Sequence, residues 1–260
     1  YKRQGQGPPD GITPPPGIAR GPRRAAGYAA HWCRLGRFLA IWIAMTDGKP
    51  MHTLQIDGLS CVRGDRVLFT DLNFGVDDGE LLRVEGRNGS GKTTLLRALA
   101  GLLLPETGEI RWDGKNIRKL REEYSRHLLY LGHLNGIKGD LSAVENLRIA
   151  AVLDGYHLTE ERAWAILGEI GLRGHEDLPS KHLSQGQKRR VALARLLANA
   201  AQVWILDEPF TALDVAAVEL LQEVIRRHIA DGGMAIVTTH QEVAMLGTHT
   251  RAVTLGRDHA

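Results

Sequence analysis

A glycine-rich loop between a short apolar stretch and a run of helical spacing constrains this chain more than any other feature. The loop, residues 86–93, reads Gly-Arg-Asn-Gly-Ser-Gly-Lys-Thr and satisfies the pattern G-x-x-x-x-G-K-[ST]. Residues 80–85 before it indicate a buried strand, and residues 93–103 after it carry apolar side chains at helical spacing. Backbone N–H groups in such a loop converge on phosphate oxygens, and the helix dipole adds positive potential. The sequence therefore predicts a nucleotide site.

The loop also carries the side chains that a nucleoside triphosphate and its metal ion require. Lys92 can reach the β- and γ-phosphates, and the hydroxyl of Thr93 can hold Mg²⁺. A glycine-rich turn that matches the pattern by chance is expected in about one chain of this length in a hundred. We expect ATP to contact the loop and the residue after it, namely Gly86, Arg87, Asn88, Gly89, Ser90, Gly91, Lys92, Thr93 and Thr94.

Composition bounds the class of protein. With 260 residues and 43% hydrophobic content, the chain can bury a large core in one or two domains. The net charge is only +3, so nucleic acid is not expected as a partner. Cys33 and Cys61 have no metal-binding spacing, which favours a reduced, cytosolic protein. The longest apolar run, residues 38–45, is far shorter than the roughly 20 residues that cross a bilayer.

The first fifty residues differ from the rest. They are rich in proline, glycine and arginine, so they cannot bury enough apolar surface to offset their ordering entropy. We expect residues 1–50 to be a disordered or non-native extension, with the natural start at Met45 or Met51. A secretory signal over residues 34–45 is an alternative, but export would take an ATP-binding domain to a compartment without ATP.

Residues 51–260 predict an α/β nucleotide-binding domain of the P-loop NTPase class. Alternating apolar residues before the loop predict an N-terminal antiparallel β subdomain. After the loop, apolar strands alternate with helices, which predicts a mainly parallel sheet covered on both faces. Helical spacing throughout residues 140–182 predicts an inserted α-helical subdomain, with Ser142 and Glu145 as a capping box. A strong helix is expected over residues 188–199.

Two carboxylates follow the apolar strand predicted over residues 203–206. The carboxyl ends of sheet strands are where α/β folds place their chemistry. Asp207 would hold Mg²⁺ through water, and Glu208 would polarise the water that attacks the γ-phosphate. An exposed acidic turn is the alternative, and the phosphate loop favours the functional interpretation. His240 follows another predicted strand, so we expect it to join Lys92 and Glu208 as a catalytic residue.

These motifs together resemble the ATP-binding subunit of ABC transporters, from about residue 51 to the C-terminus. The resemblance rests on the phosphate loop (Walker A), the acidic strand (Walker B), the D-loop 212–214, His240 and a signature sequence. The signature residues are Leu183, Ser184, Gln185, Gly186 and Gln187. In that family two subunits pack head to tail, and each ATP lies between one Walker A loop and the other subunit's signature.

This resemblance implies roles for several further residues. Ser184 and Gly186 would contact the γ-phosphate in trans, and Asp214 would be the acid of the D-loop. Arg63 stands where most members have an aromatic residue that stacks on adenine, and its guanidinium plane can stack as well. His133 stands where most members have the Q-loop glutamine that touches Mg²⁺, and its neutral imidazole can bind water or the metal.

The unusual residues Arg63 and His133 narrow the resemblance to one group, the haem exporter ATPases of cytochrome c maturation, or CcmA family. Four segments carry it, at residues 61–69, 132–138, 204–212 and 238–241, although Leu134 stands where that family has glutamine. The family implies a peripheral protein on the cytoplasmic face of the inner membrane, bound to integral membrane subunits. Its ATP hydrolysis supports haem delivery to the periplasmic haem chaperone. Direct haem binding is not expected, because the histidines lack axial-ligand context.

Two other functions share the same nucleotide chemistry. One is the ATPase of another small ABC exporter with a different cargo. The other is a soluble ABC-type ATPase that regulates without transport, which two nucleotide domains in one chain would favour, whereas this chain has one.

Overall fold

The computed structural model describes residues 52–239 and 249–256. The predicted extension over residues 1–50, the two candidate start methionines and His240 lie outside these residues. The strands are β1 (Thr53–Arg63), β2 (Arg66–Asp77), β3 (Glu80–Gly86), β4 (Thr107–Trp112), β5 (Lys115–Asn116), β6 (Leu128–Leu131), β7 (Val203–Asp207), β8 (Met234–Thr238) and β9 (His249–Leu255). The α-helices are α1 (Lys92–Leu99), α2 (Ile117–Leu120), α3 (Glu122–Arg126), α4 (Ala143–Leu153), α5 (Glu160–Glu169), α6 (Gln185–Ala198) and α7 (Val215–Ala230).

The strands form two sheets, as the sequence predicts. Four antiparallel strands lie in the order β2-β1-β4-β5, and five parallel strands lie in the order β6-β7-β8-β3-β9. Every residue of β7 and β8 is buried, because helices and the second sheet cover both faces of a parallel sheet. The phosphate loop follows β3 and the acidic pair follows β7, so both lie at the carboxyl edge of one sheet.

Successive residues of the parallel strands enter two separate cores. Leu82, Ile205 and Ile236 pack with α1 and the antiparallel sheet. Their neighbours Leu81 and Leu206 pack with α4, α5, α6 and α7 on the opposite face. This alternation follows from the two-residue period of a strand and gives the domain its three layers.

The inserted helical subdomain is present as α4 and α5, between β6 and β7. Ser142 and Glu145 form the predicted capping box, since the Ser142 hydroxyl accepts from Glu145 N at 3.1 Å and the Glu145 carboxylate accepts from Ser142 N at 2.8 Å. The block is not helical throughout, because residues 154–159 connect the two helices and residues 170–179 follow α5 as turns and irregular backbone. Gly171 and Gly174 adopt left-handed backbone there, which ends a right-handed helix.

Other helix boundaries differ from the sequence predictions for local reasons. Helix α6 begins at Gln185, three residues earlier than predicted, because the Ser184 side chain caps it. Helices α2 and α3 are not predicted, since four or five residues carry too little periodicity to be recognised. None of the helices in the described ranges has the length and apolar character needed to span a bilayer.

Candidate nucleotide site

The phosphate loop turns sharply out of β3, and only glycine fits this turn. Gly86 has φ 144°, and a Cβ there would lie 2.8 Å from the carbonyl oxygen of Leu255 on β9. Gly91, which precedes α1, has φ 101°, and its Cβ would lie 3.0 Å from the Leu68 side chain. The loop is therefore packed closely against the backbone of β9 and the side chains of β2, which holds its N–H groups in place.

Lys92 is the first residue of α1, and its side chain extends back so that the ammonium group contacts the start of the loop. Nζ donates to Gly86 O at 2.8 Å and to Arg87 O at 3.2 Å. An ammonium has three donors, so one remains for an anion above the loop. The side chain is only 7% exposed, which lessens competition from water for that anion.

The Ser90 hydroxyl is an independent sign that the loop receives a ligand. It is buried, and within the described residues it has no hydrogen-bond partner. Buried polar groups are nearly always paired in folded proteins, so each exception calls for an explanation. A phosphate oxygen seated in the loop would supply the missing partner.

Thr93 and Asp207 bring two oxygen ligands together at the edge of the sheet. Thr93 Oγ1 donates to Asp207 Oδ2 at 2.8 Å, and the Asp207 side chain is almost fully buried. In the described ranges, no group of three or more His, Cys, Asp or Glu side chains is placed to hold a metal ion. Mg²⁺ at a nucleotide needs no such cluster, because it takes one or two protein oxygens and completes its shell with phosphates and water. The pair Thr93 and Asp207 therefore fits Mg²⁺.

Thr238, at the end of β8, organises both acidic residues at the end of β7. Its hydroxyl donates to Asp207 Oδ1 at 2.7 Å and accepts from the backbone N–H of Glu208 at 2.9 Å. Glu208 has φ 48°, a left-handed conformation that typically costs a non-glycine residue about 1–2 kcal/mol. Such strain persists where the surroundings fix the backbone, and it is common at functional sites.

These elements surround one cleft of about 320 Å³. Its lining residues are Arg63, Leu68, Asn88, Gly89, Gly91, Lys92, Thr93, Thr94 and Glu208. The structure thus brings Arg63, at the end of β1, to the same cleft as the phosphate loop and Glu208. His133 is exposed and lies outside this lining, so its predicted contact with the metal stays a prediction. His240 lies outside the described residues.

The signature residues form a second surface at the start of α6. The Ser184 hydroxyl accepts from Gln187 N at 3.1 Å, and the Gln187 side chain accepts from Ser184 N at 2.8 Å. Ser184 and Gln185 are exposed, whereas Leu183 is buried and anchors the segment. Within the described part of the chain, no residue of 183–187 lines the cleft around Lys92.

The D-loop is fastened to the signature helix. Asp214 caps α7 by accepting from Ala217 N at 2.8 Å, and it pairs with Arg190 of α6 at 2.7 Å. The backbone hydrogen bond from Ala217, followed by the hydrogen bond from Arg190, holds the pKa of Asp214 below its usual value. A Cβ on Gly186 would lie 3.2 Å from the carbonyl oxygen of Ala212, so signature and D-loop are in close contact.

Sequence reasoning missed three functional positions in this region. Leu68 lines the cleft, Thr238 holds the acidic pair, and Arg189 of α6 contacts the backbone after β7. A threonine ending an apolar strand beside the acidic strand is a signal that could have pointed to Thr238. Leu68 and Arg189 carry no such signal, because their positions depend on contacts between distant segments.

The fold and the site define a P-loop nucleotide-binding cassette, and the comparisons with known proteins agree. The ABC transporter family model matches residues 69–211. The cytochrome c biogenesis ATP-binding export protein CcmA of Nitrosomonas europaea is 56% identical over 202 residues, which cover 77% of this chain and 95% of that protein. The protein of the same description from Dechloromonas aromatica is 54% identical and covers 78% of this chain and 100% of its own length.

Solved structures have the same fold. A dimeric bacterial ABC transporter cassette matches with a TM-score of 0.68 at 26% identity, covering 78% of this chain and 94% of its own. A putative ABC transporter ATP-binding protein from Pyrococcus furiosus matches with a TM-score of 0.67, also at 26% identity, over 78% of this chain and 97% of its own. The chain therefore belongs to the ABC transporter ATPases and, within them, to the CcmA family. It is an ATP-hydrolysing subunit of the ABC transporter type.

Proposed function

We propose that this chain couples ATP hydrolysis to haem export for the assembly of c-type cytochromes. The observation that carries the chemical part is that Lys92, Thr93 and Glu208 line one cleft, while the buried Asp207 accepts a hydrogen bond from Thr93. The cargo is inferred from the relatives, which are named cytochrome c biogenesis ATP-binding export proteins and are 47–56% identical to this chain. The ATPase itself carries no haem in this proposal.

ATP lies with its phosphates in the loop 86–93 and its adenine beside Arg63. Lys92 neutralises charge on the β- and γ-phosphates. Thr93 and Asp207 hold Mg²⁺, which when bound offsets phosphate charge and aligns the phosphate oxygens. Thr94 and the loop backbone N–H groups hold the remaining phosphate oxygens. The unpartnered Ser90 hydroxyl supports this placement, since a phosphate oxygen would satisfy it.

Glu208 polarises the water that attacks the γ-phosphate. Glu208 lines the cleft that the phosphate loop also lines. A general base contributes about 10²–10⁴-fold to rate when it lies within reach of the proton that it takes. His240 is assigned to the same site by its place after β8, and His133 to the metal's surroundings by its place after β6.

Two copies pack head to tail, so that the signature of one completes the cleft of the other. Ser184 and Gly186 contact the γ-phosphate in trans, and Leu183, Gln185 and Gln187 shape that surface. One support is that the exposed Ser184 lies at the N-terminus of a fourteen-residue helix, where an anion is favoured. Another is that Ser184 is not among the described residues that line the cleft of its own chain. Asp214, paired with Arg190, sets the D-loop beside this interface.

Residues 51–260 form the nucleotide-binding domain, and residues 1–50 are an extension to it. The domain sits peripherally on the cytoplasmic face of the inner membrane and binds the integral membrane subunits of the haem export complex. The near-balanced charge of the chain supports a protein partner rather than nucleic acid.

The test is complementation in a bacterium that lacks the corresponding ATPase, with the chain's own membrane subunits co-expressed. We expect the wild-type chain to restore haem-stained c-type cytochromes and to co-purify with those subunits. Lys92→Ala should bind the subunits and restore nothing, while the control Lys115→Ala, an exposed residue of β5, should behave as wild type. Cytochrome recovery with Lys92→Ala would refute the ATPase role. An active wild-type ATPase that restores no cytochromes would refute the haem cargo.

A further inference from the structure

Arg189 of α6 is a buried cation whose donors all end on backbone or amide oxygens. Its side chain is 4% exposed. The guanidinium donates to Pro209 O from Nε at 3.3 Å, to Asp207 O and Glu208 O from Nη2 at 3.3 and 2.8 Å, and to Gly132 O and Asn135 Oδ1 from Nη1 at 3.3 and 3.1 Å. One side chain thus connects helix α6 to the loop after β6 and to the turn after β7.

No carboxylate oxygen in the described ranges forms an ion pair with this guanidinium, although Asp207 and Glu208 are near enough to favour its charge. Burial lowers the pKa of Arg189, and the two carboxylates oppose that effect. An unpaired buried charge is expensive, and an apolar side chain of similar volume is often the more stable choice. A guanidinium differs from an apolar side chain in having several hydrogen-bond donors in a rigid, planar arrangement. In Arg189 these donors bind carbonyl oxygens.

Three of those carbonyls belong to consecutive residues, 207–209, that span the left-handed turn at Glu208. Thr238 holds the N–H of Glu208, and Arg189 holds its C=O. Both ends of the strained residue are therefore fixed from outside the strand. The same guanidinium also holds the loop that follows β6, through Gly132 and Asn135.

We propose that Arg189 is a positioning residue that keeps the backbone of Glu208 in its left-handed turn, and that the loop at Asn135 supports it in this task. The inference rests on the proposed role of Glu208 as the group that polarises the attacking water. Loss of the guanidinium releases the three carbonyls, the turn relaxes, and the Glu208 carboxylate spends less time directed into the cleft. Lys92 and the phosphate loop stay in place, because Arg189 donates to no residue of that loop in the described part of the chain.

The test compares purified variants by kcat, KM, the dissociation constant for ATP and the thermal midpoint. We expect Arg189→Gln to lower kcat 10- to 100-fold and to change the dissociation constant for ATP less than about threefold. Arg189→Lys should fall between wild type and Arg189→Gln, since it keeps the charge but loses the fork. Arg195→Gln is the matched control, because Arg195 lies on the same helix and pairs with Asp154 at 3.0 Å. It should lower the thermal midpoint and leave kcat unchanged.

A double-mutant cycle tests the contribution of the loop. Asn135→Leu removes only the side-chain acceptor and should lower kcat severalfold. In the Arg189→Gln background it should have no further effect, because the contact is already lost. Additive effects would overturn the link between the loop and Arg189.

The outcomes separate this inference from the proposed function. If Glu208→Gln turns over as fast as wild type, the role of Glu208 fails. If Glu208→Gln is inactive but Arg189→Gln keeps wild-type kcat, only the inference about Arg189 fails. An equal loss of ATP affinity and kcat in Arg189→Gln would indicate general damage and would also overturn it. Should Arg189→Gln not fold, an unchanged kcat in Asn135→Leu would overturn the inference, and a reduced kcat would support it.

Discussion

The Thr238 hydroxyl lies 2.7 Å from Asp207 Oδ1 and joins the carboxyl ends of two neighbouring parallel strands. The same hydroxyl oxygen accepts the N–H of Glu208 at 2.9 Å. Thr93 Oγ1 donates a hydrogen bond to the other carboxylate oxygen of Asp207, Oδ2, at 2.8 Å. Both oxygens of a buried carboxylate are therefore held by hydroxyl groups, which fixes Asp207 before any ligand arrives.

Thr238→Val should damage both stability and hydrolysis. The valine is similar in shape, but it leaves the buried Asp207 oxygen and the Glu208 N–H without their partner. We expect a loss of about 2–3 kcal/mol in the free energy of unfolding, and at least a tenfold fall in kcat. Urea unfolding and steady-state ATPase assays measure the two effects. Thr238→Ser keeps the hydroxyl and should stay close to wild type; equal losses in both variants would show that the methyl group is what matters.

Glu208→Gln should separate nucleotide binding from hydrolysis. An amide cannot take up a proton from water, so kcat should fall about a hundredfold or more. The dissociation constant for ATP should change little, because the phosphate loop and Lys92 are untouched. Size-exclusion chromatography with MgATP should reveal an accumulated dimer. Glu161→Gln, at an exposed position of α5, is the control and should hydrolyse ATP normally. Wild-type turnover in Glu208→Gln would mean that another group activates the water.

Mixing two inactive variants tests whether the site is shared between copies. Lys92→Ala removes the phosphate cation, and Ser184→Arg fills the signature surface. A heterodimer has one cleft with both changes and one cleft with neither. Random mixing gives about half heterodimers with one intact site each, so up to roughly a quarter of wild-type activity should return if the sites are independent.

The mixture is prepared by co-expression, and ATPase activity is compared with the sum of the two variants alone. The membrane subunits are included if the isolated protein is too slow. A cleft built within one chain predicts no recovery at any mixing ratio. An absence of recovery, with heterodimers verified by differential tagging, would therefore argue against the head-to-tail dimer.

His228 should make stability depend on pH. Its ring stacks on Trp204 with centroids 3.7 Å apart, and its Nε2 lies 3.2 Å from Met234 O. Burial lowers the pKa of His228 from the usual 6.5 to about 4. The unfolded chain therefore takes up the proton more readily than the folded chain. The neutral His228 ring therefore contributes roughly 3 kcal/mol to the free energy of unfolding above pH 6.5. This contribution is lost as the pH falls toward 4.

Unfolding free energies between pH 4 and 7 measure this dependence. His228→Leu removes the titrating ring, so its stability should fall less steeply with pH than that of wild type. His157→Gln, at an exposed histidine, should keep the wild-type slope. Identical slopes for wild type and His228→Leu would place the acid sensitivity elsewhere.

Local patterns predicted most of the fold, and they placed the phosphate loop and the acidic pair at the carboxyl ends of strands in one sheet. The loop 86–93, the acidic pair after β7 and the capping box at Ser142 are all short segments whose function depends on neighbouring residues. The helical spacing over residues 140–182 is interrupted at residues 154–159 and 170–179, where Gly155, Gly171 and Gly174 take up left-handed backbone. Periodicity reports which side chains are apolar, and it does not report the backbone angle.

The supporting side chains could not be predicted in the same way. Thr238 is far from Asp207 in sequence, and Arg189 reaches acceptors in the loop after β6 and in the turn after β7. No spacing rule relates such positions, because strand order decides which ends become neighbours. The left-handed turn at Glu208 is likewise a product of these tertiary contacts, since glutamate has no intrinsic preference for it.

The place of β3 in its sheet has a consequence for how the chain is made. The strand that carries the phosphate loop pairs with β8 on one side and β9 on the other. When the ribosome has finished the loop at Thr93, about 140 residues must still be synthesised before Leu81 can meet Ala235. Pairing between such distant segments is slow, because a long loop must close first. The phosphate loop is therefore made well before the two strands that flank β3, and a bound nucleotide can stabilise the nascent domain only after β8 and β9 have been synthesised.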